Sequence, residues 1–188
     1  MNLNLEVFHL INNLAYKNEM LDKFMIFCSK YLPYIFVLIV IGVFILGMKN
    51  KNIKCRKIAV STVVFTVINL IISFIIGSLF YVNRPFAHNN VNLLYYHKPN
   101  SSFPSDHAIG TLSIALGLGI YNKILGAILT VLSLLVGFSR IYVGHHYPSD
   151  VLGGFLLVII TSFIYNNLLK DKVERLYENI EGKFIKQK

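Results

Sequence analysis

Acidic side chains are scarce in this 188-residue chain: nine Asp and Glu stand against eighteen Lys and Arg, and charged residues make up 14% against 55% hydrophobic. So small a charged fraction excludes an ordinary soluble fold of this size and points to a membrane protein. The formal charge of +9 would suggest nucleic acid only if the cations shared one accessible face. They cluster between apolar runs instead, so no nucleic-acid partner is expected. Cys28 and Cys55, far apart and outside any CxxC pattern, exclude a disulfide framework or a cysteine zinc site. Near the start, Glu6, Glu19 and several Asn replace the basic and apolar regions of a leader, so no cleaved signal peptide is expected. Walker-type glycine-rich loops, internal repeats and low-complexity linkers are also missing.

What remains is apolar sequence in long blocks. Runs at 31–48, 58–82, 125–143 and 151–169 each approach the ~20 residues that cross ~30 Å of hydrocarbon. A shorter fifth segment, 108–121, is rich in small residues (Gly110, Ser113, Ala115, Gly117, Gly119), which suits a helix packed closely against neighbours. The pattern predicts an all-α fold: a polytopic membrane helix bundle of five to six helices, forming one integral-membrane domain over 1–188. Its core is 31–169. Segment 1–29, with Val7, Phe8, Ile11 and Leu14 on one face, reads as a surface amphipathic helix or an extra helix of the bundle. The tail, 170–188, places Val173, Leu176, Tyr177, Ile180 and Phe184 at helical spacing and reads as a solvated, cytoplasmic amphipathic helix with no part in chemistry.

Cytoplasmic loops are enriched in Lys and Arg, which orients the bundle. Lys49, Lys51, Lys54, Arg56 and Lys57 follow the first run, Lys123 precedes the fourth helix, and Lys170, Lys172, Arg175, Lys183, Lys186 and Lys188 fill the tail. The opposite loops hold Arg84, Lys98 and Arg140, with Lys17, Lys23 and Lys30 in the N-terminal segment. The stretches "NRPF" (83–86), "FPSDHAIG" (103–110) and "SRIYVGHHYPSD" (139–150) therefore face outward, and the topology brings all three to one surface.

Arg84 and Arg140 sit at outer span ends, where two planar guanidinium forks would clamp phosphate oxygens. Either alone would equally suit snorkelling to headgroups. Ser105 reads as the N-cap of a helix whose free N–H groups and dipole favour an anion, and His107 in its first turn can exchange a proton with a phosphate ester. Pro148 starts another helix around Tyr147, with Asp150 in its first turn. A histidine nucleophile needs one free ring nitrogen and a carboxylate on the other. Asp150, four residues on, can serve His146; His145 remains an alternative at this point. His107, His146, Asp106 and Asp150 could bind one metal ion, but the outer loops have no further carboxylate for a two-metal centre. Metal-free phosphoryl transfer fits better, and no cofactor is expected.

These residues resemble the three signature blocks of the type 2 phosphatidic acid phosphatase superfamily: Lys-x6-Arg-Pro, Pro-Ser-Gly-His and Ser-Arg-x5-His-x3-Asp. Arg84-Pro85, Pro104-Ser105-Asp106-His107, and Ser139-Arg140 with His146 and Asp150 stand at the matching positions, in order. The resemblance implies that His146 is the nucleophile forming a phosphohistidine, that Asp150 orients it, and that His107 protonates the leaving group. It implies that Arg84, Arg140, Ser105 and Ser139 hold phosphate oxygens. The family lysine is Gly77 here, for which Lys98 is a candidate substitute, and Asp106 replaces the family glycine. Both departures fit a subgroup, the bacitracin-resistance type of undecaprenyl-diphosphatase, similar in "RPF", "SFPSDH" and "GFSRIYVGHHYPSD". That likeness implies a multi-pass protein of the bacterial plasma membrane acting on a polyprenyl diphosphate lipid at the outer face. Phosphatidylglycerol phosphate, phosphatidic acid and diacylglycerol pyrophosphate are alternative substrates, and an anion transporter is the rival from another class.

Overall fold

The computed structural model describes residues 3–88 and 90–185; Lys186 and Lys188 of the tail, and the Phe184 side chain, lie outside the described residues. Among the described residues nine helices run in chain order: α1 (Leu3–Asn12), α2 (Glu19–Lys30), α3 (Leu32–Lys49), α4 (Ile53–Leu79), α5 (Pro85–His88), α6 (Asp106–Gly119), α7 (Lys123–Tyr142), α8 (Pro148–Leu168) and α9 (Lys170–Ile185). Asparagines start several of them. Asn18, Asn52 and Asn122 each accept from backbone N–H groups of the turn that follows, pairing donors that a helix start leaves free. Pro33 and Pro148 occupy first turns, where a missing N–H costs nothing.

Four helices among the described residues, α3, α4, α7 and α8, are long and apolar enough to cross a membrane. Their outward faces carry large apolar side chains, such as Phe74 and Phe163, that lipid rather than water would cover. The expected fifth span is α6, and its 14 residues give a rod of about 21 Å, short of the ~30 Å hydrocarbon layer. It is the central packing helix instead, with Ala108, Ile109, Ala115 and Leu118 fully buried. Helices in lipid gain little from hydrophobic burial and depend on close packing. The small residues supply it: a Cβ on Gly126 of α7 would lie 2.5 Å from the Gly119 Cα of α6.

The N-terminal segment is neither one surface helix nor a spanning one. Helices α1 and α2, of 10 and 12 residues, both pack on α7, α1 reaching α8 as well and α2 reaching α3. Asn12, fully buried, donates to Tyr142 O and Asn92 O, both at 2.9 Å, and its own oxygen accepts from Asn92 N at 2.9 Å. The Tyr142 hydroxyl donates to Asp22 at 2.7 Å. At the opposite end the tail is docked rather than freely solvated. Arg56 Nη2 pairs with Glu181 at 2.7 Å, and Lys57 with Glu178 at 2.9 Å, holding α9 on the start of α4.

Candidate active site

The loop between α7 and α8 carries His145 and His146, whose backbone N–H groups both bond back to Arg140 O. Both side chains are buried. Their tautomers follow from their neighbours. A carbonyl can only accept and a guanidinium only donate. His146 Nδ1 lies 2.9 Å from Ser102 O and Nε2 lies 3.0 Å from Arg84 Nη1, so Nδ1 holds the proton and Nε2 presents a lone pair. Burial, and then the charges of Arg84 and Arg140, hold the His146 imidazole well below its usual pKa of 6.5. His145 has the reverse arrangement. Its Nε2 donates to Tyr95 O at 3.0 Å, while Nδ1 is buried with no protein partner. Burial pushes its pKa down to about 2.

Asp150 differs from its expected role. Its Oδ2 stands 3.6 Å from His146 Nδ1, within ion-pair reach but beyond a hydrogen bond. As the third residue of α8 it accepts from Tyr147 N at 2.8 Å and from the Ser102 hydroxyl at 2.5 Å. Ser102, which lies outside the three motif blocks, thus bridges the carboxylate and the imidazole: its hydroxyl donates to Asp150, its carbonyl accepts from His146, and its own N–H donates to Val82 O at 2.7 Å. Its position just ahead of "FPSDH" was the available signal. Removing the hydroxyl with Ser102→Ala leaves the carbonyl in place but frees the buried carboxylate. If His146 is the reacting group, kcat falls about ten- to a hundredfold with little change in KM, as in steady-state phosphate release.

Arg84 is buried and tied by Nε to Asn100 at 2.8 Å, by Nη1 to His145 O at 3.0 Å, and by Nη2 to Ser101 O at 3.3 Å. Burial, then the nearby Arg140, lower its pKa to about 10, so it stays charged. Arg140 is 1% exposed, yet only Nη1 is bonded, to Ser29 at 3.0 Å and to the Tyr95 hydroxyl at 2.9 Å. Its Nε and Nη2 have no protein partner. Neither does Ser105 Oγ, although Ser105 is the N-cap residue of α6. Each buried donor left unpaired costs about 1–3 kcal/mol, which an anion would offset. Ser29 on α2 and Tyr95 in the long loop had no sequence signature.

Two expected anion ligands are not brought to this cluster. The Ser139 hydroxyl donates to Val136 O at 2.7 Å, within its own helix. Lys98 is exposed, and among the described residues its side chain has no hydrogen bond or ion pair. At position 77 a side chain would meet Phe103 O at 3.2 Å, so Gly77 is closely covered. Asp106 accepts from Ser73 on α4 at 2.5 Å. His107, one residue on, lines a groove between α3, α4 and α6. No three His, Cys, Asp or Glu side chains converge on a metal position among the described residues.

Helices long enough to cross a membrane, closing at one end over buried arginines and a histidine with an unprotonated Nε2, define a multi-pass membrane protein with an anion site of the phosphoryl-transfer kind. Residues 58–174 match the model of the PAP2 superfamily, and the chain belongs to that family. It is 36% identical to undecaprenyl-diphosphatase BcrC of Bacillus subtilis, over 98% of this chain and 97% of that one. It is 34% identical to the bacitracin transport permease protein BcrC of Bacillus licheniformis, over 99% and 93%. The crystal structure of Aquifex aeolicus LpxE superposes with a TM-score of 0.74 at 30% identity, covering 89% of this chain and 96% of that one.

Proposed function

We propose that the chain is a membrane lipid diphosphatase that hydrolyses undecaprenyl diphosphate to undecaprenyl phosphate and phosphate. It thereby recycles the cell-wall lipid carrier and confers resistance to bacitracin. The observation that carries the chemistry is the unprotonated Nε2 of His146, whose lone pair accepts from the Arg84 guanidinium at 3.0 Å. As a phosphate enters, Arg84 Nη1 transfers its hydrogen bond from Nε2 to a phosphate oxygen, and Arg140 Nε and Nη2 with Ser105 Oγ take others. Nε2 then attacks the terminal phosphorus while the bridging P–O bond breaks. His107 gives its proton to the departing monophosphate ester. Ser102 O keeps the Nδ1 proton, and Asp150 steadies the positive ring that forms. Water, deprotonated by His107, cleaves the phosphohistidine, releases phosphate and restores Nε2.

The relatives named undecaprenyl-diphosphatase support this substrate, and the permease name of another favours no transport path here. The buried histidines gather with Arg84 and Arg140 at one end of the bundle. Deeper in it Asn69, Ser113 and Thr161 are uncharged and paired with one another, whereas an anion path needs unpaired or charged groups through its depth. Lys and Arg concentrate at the end carrying Arg56, Lys57 and α9, which supports a plasma-membrane topology with the site outside. A panel of undecaprenyl diphosphate, phosphatidylglycerol phosphate, phosphatidic acid and diacylglycerol pyrophosphate, assayed for phosphate release in detergent, tests the substrate. Faster turnover of any of the last three would overturn it.

The lowered pKa of His146 fixes a pH dependence. Because folding disfavours its protonated form, Nε2 stays free as pH falls through 6.5, and the limb of kcat/KM due to this residue lies below that value. An acid limb centred above 6.5 that disappears in a His146 variant would contradict the assignment.

A further inference from the structure

We propose that the groove between α3 and α4 holds the isoprenyl chain of the lipid, so that this face of the bundle selects the substrate by its tail. The inference rests on the diphosphatase reading and adds the tail site to it. Three cavities of about 250, 150 and 290 Å³ follow one another down this face and share walls: Val37, Thr66 and Ile114 belong to the first and second, Val40, Ile41 and Val63 to the second and third. Along α3 they run from Pro33 to Phe44, about 16 Å at the helical rise, or roughly half the hydrocarbon layer.

Continuity with the phosphate site argues for a substrate tail over an ordinary lipid chain. The upper cavity is lined by His107 and Asp106, so a lipid whose bridging oxygen reaches His107 has its first carbons there. The chain cannot continue into the bundle, where Ala108, Ile109 and Ala115 leave no space. Below, the walls are carbon. The Thr66 hydroxyl is turned back to Thr62 O at 2.8 Å, and the Thr111 hydroxyl to His107 O at 2.8 Å, so the groove offers them no water-seeking group. Gly110, one turn beyond His107, leaves the floor open: a Cβ there would meet nothing within 4 Å.

The test uses undecaprenyl diphosphate and dimethylallyl diphosphate, which share a headgroup, the second having a tail too short to reach Val63. Val63→Trp blocks the groove far from the phosphate site, and Gly110→Leu fills its upper part. Gly42→Leu, also in open space but on no groove wall, is the control. The ratio of kcat/KM for the long over the short substrate should fall about tenfold in the first two, through KM, and stay unchanged in the control. An unchanged ratio in both groove variants overturns the proposal. A second readout does not need turnover: an undecaprenyl-length isoprenyl phosphate with a photoreactive group on its third isoprene unit, added with excess phosphatidylglycerol, should label α3 and α4. Labelling spread over all lipid-facing helices overturns the tail site even if the enzyme proves active. Label confined to α3 and α4 in a protein that releases no phosphate instead refutes the diphosphatase reading and leaves the tail site standing.

Discussion

Replacing His146 by Gln is expected to lower kcat for phosphate release by about ten-thousand-fold or more, with the lipid still bound. The size of the effect follows from the role. A residue that forms the covalent intermediate has no understudy, and losing it removes the two-step route altogether. Gln keeps much of the volume and the capacity to donate, so the buried loop holding Arg140 O, Ser102 O and Arg84 is retained better than in an alanine variant. His145→Gln provides the contrast. That ring donates to Tyr95 O and packs edge-on against Tyr95 at 4.3 Å, so its loss loosens the loop without removing a reacting atom, and about a tenfold effect is expected. Comparable losses at the two positions, measured as single-turnover phosphate release, would remove the distinction between them.

Arg140→Lys is expected to lower kcat/KM by about a hundred- to a thousandfold. Lysine keeps the charge, so a small effect would mean that Arg140 acts only as a cation near the bilayer surface. The guanidinium does more here. Nη1 is committed to Ser29 and Tyr95, which leaves Nε and Nη2 side by side as a fork with no protein partner. An ammonium group reaching the same place would have to give up either the Ser29 and Tyr95 contacts or the phosphate. Ser29→Ala separates these functions: it should loosen Arg140 and raise KM modestly, leaving the pH profile unchanged.

Much of this arrangement is legible in the sequence because two simple periodicities carry it. Runs of apolar residues near the length of a span marked α3, α4, α7 and α8, and the spacing from Arg140 to His146 to Asp150 placed a charged loop between α7 and α8. Helix α6 is marked by its small residues and has the 14-residue length that the sequence suggests, though it is too short to be the fifth span expected of it. Other contacts have no local pattern. Ser29, Tyr95 and Asn12 are ordinary residues whose importance comes from long-range meetings, 111 residues apart in the case of Ser29 and Arg140. Asp150 was assigned a direct bond to His146 because the four-residue spacing permits one. The capping demand of the Tyr147 N–H and the Ser102 hydroxyl competes for the same oxygen and takes it. The Ser139 hydroxyl turns to Val136 O for a related reason: inside a helix a serine hydroxyl has a carbonyl of its own chain within reach.

The central claim is a covalent phosphohistidine, and trapping it tests that claim most directly. Undecaprenyl diphosphate labelled in its terminal phosphate is mixed with the protein, quenched in base within one turnover, and the protein is digested for peptide mapping. Base-stable, acid-labile label on Nε2 of His146 is expected, absent in His146→Gln. Label on His145 or elsewhere, or rapid phosphate release with no protein-bound label under conditions that stabilise phosphohistidine, would contradict it.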